Sequence, residues 1–418
     1  LRDIAKGVLK TIPDALTINK GVLNLLSYSF MTDRAGSIGL LVEEHARQRP
    51  ERAAISFNGK SWTYAEFNAW ANRVAAVLKA KGVKSGDAVA ILMENRAEVL
   101  VCVTAAIKLG AVAGLLNHNQ RGDVLKHSLE LTKAKVVIVG EECVEALESA
   151  GYEPKKDKER VFLCEGAGKP ASGYVNLTAE ARKHSSANPP ETQKVMLRSP
   201  AFYIFTSGTT GMPKASVMTH HRWLRAMAGL GQVVLRLKPE DVFYCALPLY
   251  HNNALTVSWG AALGAGCTLA LSRKFSASKF WDEVRASGAT AFCYIGELCR
   301  YLLNQPAHAK DRMHQVKVIV GNGLRPEIWD AFQERFGIER ISEFYGASEG
   351  NMAFVNGFGL SKTAGYCPLT FSIVEFDNEN EQPVRGPDGF MRKVAKGGTG
   401  LLISEVTDRN PFDGYTDP

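Results

Sequence analysis

The sequence has no uninterrupted apolar run of 18 or more residues, so no segment reads as a membrane-spanning helix, and it opens with no signal-peptide pattern. It contains no C-x-x-C pair. Its eight cysteines, at 102, 143, 164, 245, 267, 293, 299 and 367, are scattered and mostly sit inside apolar runs. Such spacing gives neither a zinc site nor a disulfide framework and points to buried thiols in a reducing cytosol. Strong charge is also missing. A net charge of +7 suits anionic small ligands and is far from a nucleic-acid footprint, so no nucleic-acid partner is expected. No internal repeat and no low-complexity tract stands out. At 418 residues, with 45% hydrophobic and 22% charged residues, the chain has the composition of a soluble globular protein of about two or three units.

What is present is concentrated in one loop. Thr206, Ser207, Gly208, Thr209, Thr210, Gly211 and Lys214 place hydroxyls, glycines and a lysine within nine residues. Glycines let backbone N–H groups approach an anion, hydroxyls donate further hydrogen bonds, and the lysine adds a point charge. This suits a polyphosphate. It is not a G-x-x-x-x-G-K-[ST] loop, because Gly208, Gly211 and Lys214 are spaced too tightly. Apolar runs on both sides, Ala201–Phe205 and Ala215–Thr219, predict a link between two strands rather than a helix N-terminus.

Strand-like and helix-like runs alternate up to about residue 345. Thr63 with Glu66 forms a capping box that starts a helix ending at Gly82, and a second helix is predicted from about Ala97 to Leu109. Buried-strand runs at Ala88–Met93, Val136–Val139, Phe243–Leu247, Cys267–Leu271, Ala291–Tyr294 and Val316–Val320 predict parallel sheets covered on both faces. Beyond Ala364, short strands at Phe371–Phe376, Phe390–Val394 and Gly400–Val406 predict a small antiparallel β unit. The expected division is an extension at 1–34, α/β subdomains at 35–200 and 201–360, and an incomplete β subdomain at 361–418. The stretch Ile4–Phe30 mixes lysines with leucines and suits either a membrane surface or packing against the domain. A start without methionine and a stop at Thr416-Asp417-Pro418 are expected of a piece of a longer protein.

Two further segments join the loop. In Phe344-Tyr345-Gly346-Ala347-Ser348-Glu349, an aromatic face, a hydroxyl and a carboxylate could serve a purine, a phosphate and Mg2+ respectively. Gly321-Asn322-Gly323 ends a strand in a bare turn that lets backbone approach a flat ring. With Leu249-Tyr250-His251, these segments make residues 35–418 resemble the adenylate-forming superfamily of acyl-CoA synthetases, luciferases and adenylation domains. Tyr203–Gly211, Ile295–Leu302 and Phe412-Asp413-Gly414-Tyr415 resemble its long- and very-long-chain fatty acyl-CoA synthetases, also called fatty-acid transport proteins.

The resemblance implies the large N-terminal α/β domain of such an enzyme, with two helix-covered, mostly parallel sheets and a small antiparallel barrel-like subdomain. It implies that a fatty acid, MgATP and coenzyme A give acyl-AMP and then acyl-CoA. Thr206, Lys214, His251 and Glu349 are expected to carry the chemistry, with Glu349 holding Mg2+. Residues 206–211 and Lys214 would hold phosphates; Gly321, Asn322, Gly323, Phe344, Tyr345, Gly346 and Ser348 would complete the nucleotide site. Ser348 stands where the family often has threonine. His220 and His221 are adjacent, so their side chains diverge, and no metal pair is expected.

An apolar acyl channel is expected from Tyr250, His251, Leu255, Trp259, Gly264, Tyr294, Ile295 and Gly296, since residues 252–267 contain no acid to pair with an amino-acid substrate. The family's ribose-binding aspartate, hinge and catalytic lysine would follow Pro418, so this piece is expected to fold without appreciable turnover. Competing readings are an acyl-AMP ligase that loads a carrier protein, a fatty-acid uptake or binding protein, and a silent adenylate-binding module. Cytoplasmic residence, attachment at the inner membrane face and pairing into a homodimer are compatible with all of them.

Overall fold

The structure is a computed structural model that describes residues 7–9, 11–157, 159–166, 168, 170, 172–206, 211–408 and 410–417. Among these residues two large sheets form the body. One has seven strands in the order Val175–Asn176, Val161–Glu165, Val136–Gly140, Ala88–Leu92, Val112–Leu115, Pro200–Thr206, Lys214–Thr219. All its pairings are parallel except the last, which is a hairpin. The second sheet has eight strands, with Arg340–Gly346, Val318–Asn322, Ala291–Ile295, Val242–Cys245, Thr268–Leu271 and Ala53–Phe57 parallel at its centre. Antiparallel strands Ala353–Val355 and Lys60–Thr63 close its edges. Parallel central strands buried on both faces account for apolar runs without polar alternation, such as Ala88–Leu92 and Val136–Gly140.

The division expected near residue 200 does not follow the sheets. Pro200–Thr206 and Lys214–Thr219 complete the first sheet, whereas Ala53–Phe57 and Lys60–Thr63 cross to the second. Strand edges are satisfied by hydrogen bonds across space, which adjacency in sequence does not report. The terminal β region is two short ladders, Phe371–Val374 with Leu401–Ser404 and Phe376–Asp377 with Gln382–Pro383. The strand expected at Phe390–Val394 makes only isolated bridges through Met391 and Lys393.

Helix Tyr64–Ala80 has the expected capping box: Thr63 Oγ1 accepts from Glu66 N at 3.2 Å, and Thr63 N donates to the Glu66 carboxylate at 2.8 Å. The next helix, Ala97–Lys108, is buried along its length, including its final lysine. Lys108 Nζ donates to Asn68 Oδ1 at 2.6 Å, to Asn72 Oδ1 and to Asn188 Oδ1 at 3.2 Å, and pairs with Glu43 at 3.1 Å. All eight cysteines are free and buried. No helix among the described residues is long and apolar enough to cross a membrane.

Helix Ala15–Phe30 packs on the π-helical segment Met227–Leu235, where Gly21 leaves no room for a Cβ against Gln232 and Val233, and Asn24 Nδ2 donates to Gln232 Oε1 at 2.9 Å. Its outer face leaves Leu16, Leu23, Leu26 and Phe30 exposed. The inner face packs against the domain, as one of the two sequence alternatives for this stretch expects. Ile4 itself lies outside the described residues.

Candidate active site

The hairpin Pro200–Thr206 and Lys214–Thr219 is closed by the Thr206–Lys214 pair. Ser207, Gly208, Thr209 and Thr210 lie outside the described residues. At the end of the loop Gly211 takes φ +86° in open space, and Lys214 is exposed. Its Nζ lies 5.6 Å from the Tyr415 ring. The Phe412–Tyr415 motif runs along the hairpin as an added edge: Val217 N donates to Gly414 O at 3.0 Å and Thr416 N to Ala215 O at 2.9 Å.

Arg222, which sequence reasoning passed over, ties this edge to the Ser348-Glu349 segment. Its guanidinium meets Asp413 at 3.3 Å, Ser348 O at 3.2 Å and Pro411 O at 3.1 Å. Burial lowers its pKa, opposed by the Asp413 and Glu349 carboxylates. Burial, followed by the Glu349 carboxylate, raises the pKa of the Tyr415 phenol. Thus Lys214, Tyr415, Glu349 and Arg222 form one polar cluster at the open end of the hairpin. The only sequence signal for Arg222 is its place three residues after the Thr219 cap.

Beside this cluster lies a cavity of about 570 Å³ between the two sheets. His251, Asn322, Phe344, Gly346, Ser348 and Ile295 lie on its wall, which brings together members of three separate sequence motifs. Met218, Ala226, Leu230, Val257 and Met352 extend it as apolar surface, and Leu25 joins it from helix Ala15–Phe30. Asn253 Nδ2 donates to Asn322 Oδ1 at 2.8 Å and fixes that amide at the wall.

His251 sits in a recess, open to solvent yet closely surrounded. Burial and then the neighbouring His118 lower its pKa, so the ring is neutral at neutral pH. Tyr250 is buried beside it at 4.5 Å between ring centroids, its hydroxyl accepting from Asn119 Nδ2 at 3.2 Å. Asn95, reaching across from the first sheet, holds the preceding backbone. Its amide accepts from Leu249 N at 2.8 Å and donates to Leu247 O at 2.7 Å and Ser272 O at 3.2 Å.

Other expected channel residues lie off the wall. Leu255 and Trp259 are buried in the core, where the Trp259 ring is 5.3 Å from that of Trp223 and Leu255 O accepts from Trp223 Nε1 at 3.3 Å. Gly264 packs against Met227, and its carbonyl accepts from Gln232 Nε2 at 2.7 Å. Thr256 and Val257 face the cavity instead. The cause is local: Asn253–Ser258 is π-helical, and its i→i+5 bonding rotates side chains away from the 3.6-residue periodicity. Tyr294 is buried and turned toward Glu343, while Gly296 packs against the Gly323 carbonyl. Tyr345 is 58% exposed, and strand alternation sends it to the face opposite Phe344 and Gly346. His220 Nδ1 accepts from Ile38 N at 3.2 Å, whereas His221 lines the cavity.

Comparison with known proteins gives the family. The chain is 48% identical to a medium/long-chain fatty acid–CoA ligase, FadD6, of Mycobacterium tuberculosis, over all of this chain and 68% of the relative. It is 38% identical to long-chain fatty acid transport protein 2 of Rattus norvegicus, over 89% of this chain and 61% of that protein. It therefore spans about two thirds or less of the length of these relatives. Its fold matches the crystal structure of the anthranilate CoA ligase AuaEII in complex with anthranoyl-AMP, with a TM-score of 0.78 at 21% identity over 92% of this chain and 72% of that one. A family model for AMP-binding enzymes matches residues 42–387, and with it the chain belongs to the AMP-binding, adenylate-forming enzyme family.

Proposed function

We propose that the intact protein activates a medium- or long-chain fatty acid with MgATP and passes the acyl group to coenzyme A. The acid's carboxylate oxygen bonds to the α-phosphorus as the bond from that phosphorus to the bridging oxygen breaks, releasing pyrophosphate. The coenzyme A thiol, its proton lost, then attacks the acyl carbon and AMP leaves. Such transfers depend on positioning and charge neutralisation more than on covalent participation by the protein. The observation that carries this reading is the single cavity wall shared by His251, Asn322 and Ser348 at its polar part and by Leu25, Leu230 and Val257 at its apolar part. A chain with a charged head and an apolar tail needs both.

In this reading Lys214 and the loop before it bind the outer phosphates, neutral His251 stands by the reacting carboxylate, and Ser348 bonds the α-phosphate. Glu349 is one carboxylate beside a phosphate site, which fits Mg2+ that arrives with the nucleotide and keeps phosphate oxygens and water as its other ligands. When bound, the ion would neutralise phosphate charge. The Arg222 guanidinium and the Tyr415 phenol are the groups whose charge states feel Glu349, and they would help orient it. ATP–pyrophosphate exchange by the intact protein is expected to depend on palmitate or oleate and to fall by roughly 100-fold in Glu349→Ala. Exchange that ignores the acid, or survives the substitution, would overturn this assignment. Parallel assays with coenzyme A and with a carrier protein separate the ligase from the carrier-loading alternative.

The exposed stripe Leu16, Leu23, Leu26 and Phe30 supports attachment to a lipid surface. The helix has no acidic residue, and its one charge is Lys20. Its neighbour Leu25 lines the cavity, so substrate partitioned in lipid lies close to the site. Leu16→Glu/Leu23→Glu is expected to weaken binding to phosphatidylglycerol-containing vesicles by about tenfold with folding unchanged. Unchanged vesicle binding, with dissociation of a dimer instead, would assign the face to a second copy.

A further inference from the structure

Glu343 stands on strand Arg340–Gly346, one residue before the cavity-lining Phe344, and is 7% exposed. Among the described residues no charged group pairs with it. Its carboxylate accepts instead from three neutral donors: Gly323 N at 2.5 Å, Leu324 N at 3.2 Å and the Tyr294 hydroxyl. Burial raises its pKa, while the bonds from Tyr294, Gly323 and Leu324 act to lower it. A buried carboxylate is costly without such partners, and here it takes up two backbone donors of one turn.

The register explains how the three meet. Tyr294 lies opposite Gly321, and Gly321 opposite Glu343, on three adjacent parallel strands whose paired side chains share a face. The middle position is bare. A Cβ on Gly321 would fall 2.2 Å from Tyr294 O and 2.7 Å from its ring. The phenol and the carboxylate therefore meet across the space a side chain would fill. The turn they hold contains Asn322, which reaches the cavity wall, and Gly323, at φ +83° in a conformation strained for other residues.

We infer that Glu343 is a positioning residue for the nucleotide, acting through the turn Gly321–Leu324, with Tyr294 as its lock. The inference rests on the nucleotide site proposed above. It assigns to Glu343 the task of holding Asn322 and the Gly321–Gly323 backbone at the distance a flat ring requires. Such a group leaves the acid's half of the cavity alone, which distinguishes it from a residue that merely keeps the sheet together.

The test measures ATP affinity by calorimetry on the intact protein, with exchange kinetics for ATP and palmitate in parallel. Glu343→Ala is expected to weaken ATP binding about tenfold, the loss of about one buried hydrogen bond. The KM for palmitate should stay within about twofold of wild type. Glu343→Gln can turn its carbonyl oxygen to the two amides and its NH2 to the Tyr294 oxygen, so it should recover most of the affinity. Tyr294→Phe, which removes only the hydroxyl, should weaken ATP binding and leave palmitate unaffected, and it serves if the alanine variant does not fold. ATP affinity unchanged in these variants, or equal losses for ATP and palmitate that follow thermal stability, would overturn the inference. If wild type binds ATP without acid-dependent exchange, the activity reading falls and the affinity series still decides the role of Glu343.

Discussion

Lys108→Met is expected to lower the unfolding free energy by about 3–5 kcal/mol in urea denaturation, the range for breaking a buried ion pair by removing one partner. The ammonium group is fully buried between Glu43 and the carbonyl oxygens of Asn68, Asn72 and Asn188. Its stem is closely packed as well, since a Cβ on Gly39 would come within 2.9 Å of Lys108 Cγ. Methionine fills most of the volume and leaves Glu43 and the Asn68 and Asn72 carbonyl oxygens without the lysine's donors, while Asn188 Oδ1 keeps the Asn68 and Asn72 amides. A second substitution, Glu43→Gln, removes the orphaned charge and restores part of the loss, so the pair is non-additive. Burial, only partly offset by Glu43, lowers the Lys108 pKa to about 8 from 10.5. The unfolded chain then binds more protons than the folded one between those values. The lysine's contribution to stability is least below pH 8 and rises toward pH 10.5, by at most roughly 1.4 kcal/mol per pH unit. This segment of the pH profile is absent from Lys108→Met. A flat wild-type profile across that window would show that the ammonium group is not penalised in the fold.

Gly296→Ala is the second large effect. An added Cβ would lie 1.7 Å from Gly323 O and 2.4 Å from its carbonyl carbon, both backbone atoms of the turn that presents Asn322 to the cavity. Rotamer changes cannot relieve that overlap, so the strand end or the turn must move. Thermal or urea unfolding is expected to show a loss of roughly 3 kcal/mol, the upper part of the usual overpacking range. Because the turn is displaced, ATP binding should fall even where the variant remains folded. Gly229→Ala is the matched control. It lies on the cavity wall in a helical segment, and its Cβ would meet nothing within 4 Å. That variant should be as stable as wild type or slightly more so. Similar losses in both variants would mean that close approach at Gly296 is not what sets its cost.

Much of this architecture was legible in the residues because the relevant signals are local. The Thr63–Glu66 box, the strand runs and the hairpin Pro200–Thr206 with Lys214–Thr219 each depend on neighbours in sequence. The motifs of Tyr250-His251, Gly321–Gly323 and Phe344–Glu349 could be placed on strand ends, where open parallel sheets gather ligands. Three kinds of feature escaped. The π-helical turns at Met227–Leu235 and Asn253–Ser258 break helical periodicity, and the apolar composition behind the expected channel cannot tell that Thr256 and Val257, not Leu255 and Gly264, face the cavity. Long-range polar ties gave no pattern: Arg222 meets Asp413 and Asn95 meets Leu247 across the fold, and Lys108 reads as the end of an apolar helix. The exchange of strands between sheets was invisible for the same reason, because register is decided by partners some 200 residues away.

That exchange has a consequence during synthesis. Strand Ala53–Phe57 pairs in parallel with Thr268–Leu271, Ile55 opposite Leu269. At ribosomal speeds of about 5–20 residues per second, roughly 10–40 s separate the emergence of the two. Through that interval the hairpin Ala53–Thr63 has no sheet to join, although Ile55 and Phe57 are built for burial. The first sheet is also delayed, since its Pro200–Thr206 and Lys214–Thr219 strands are made late. Nascent chains of this topology therefore carry an unpaired, apolar strand edge throughout that interval, open to pairing with other chains.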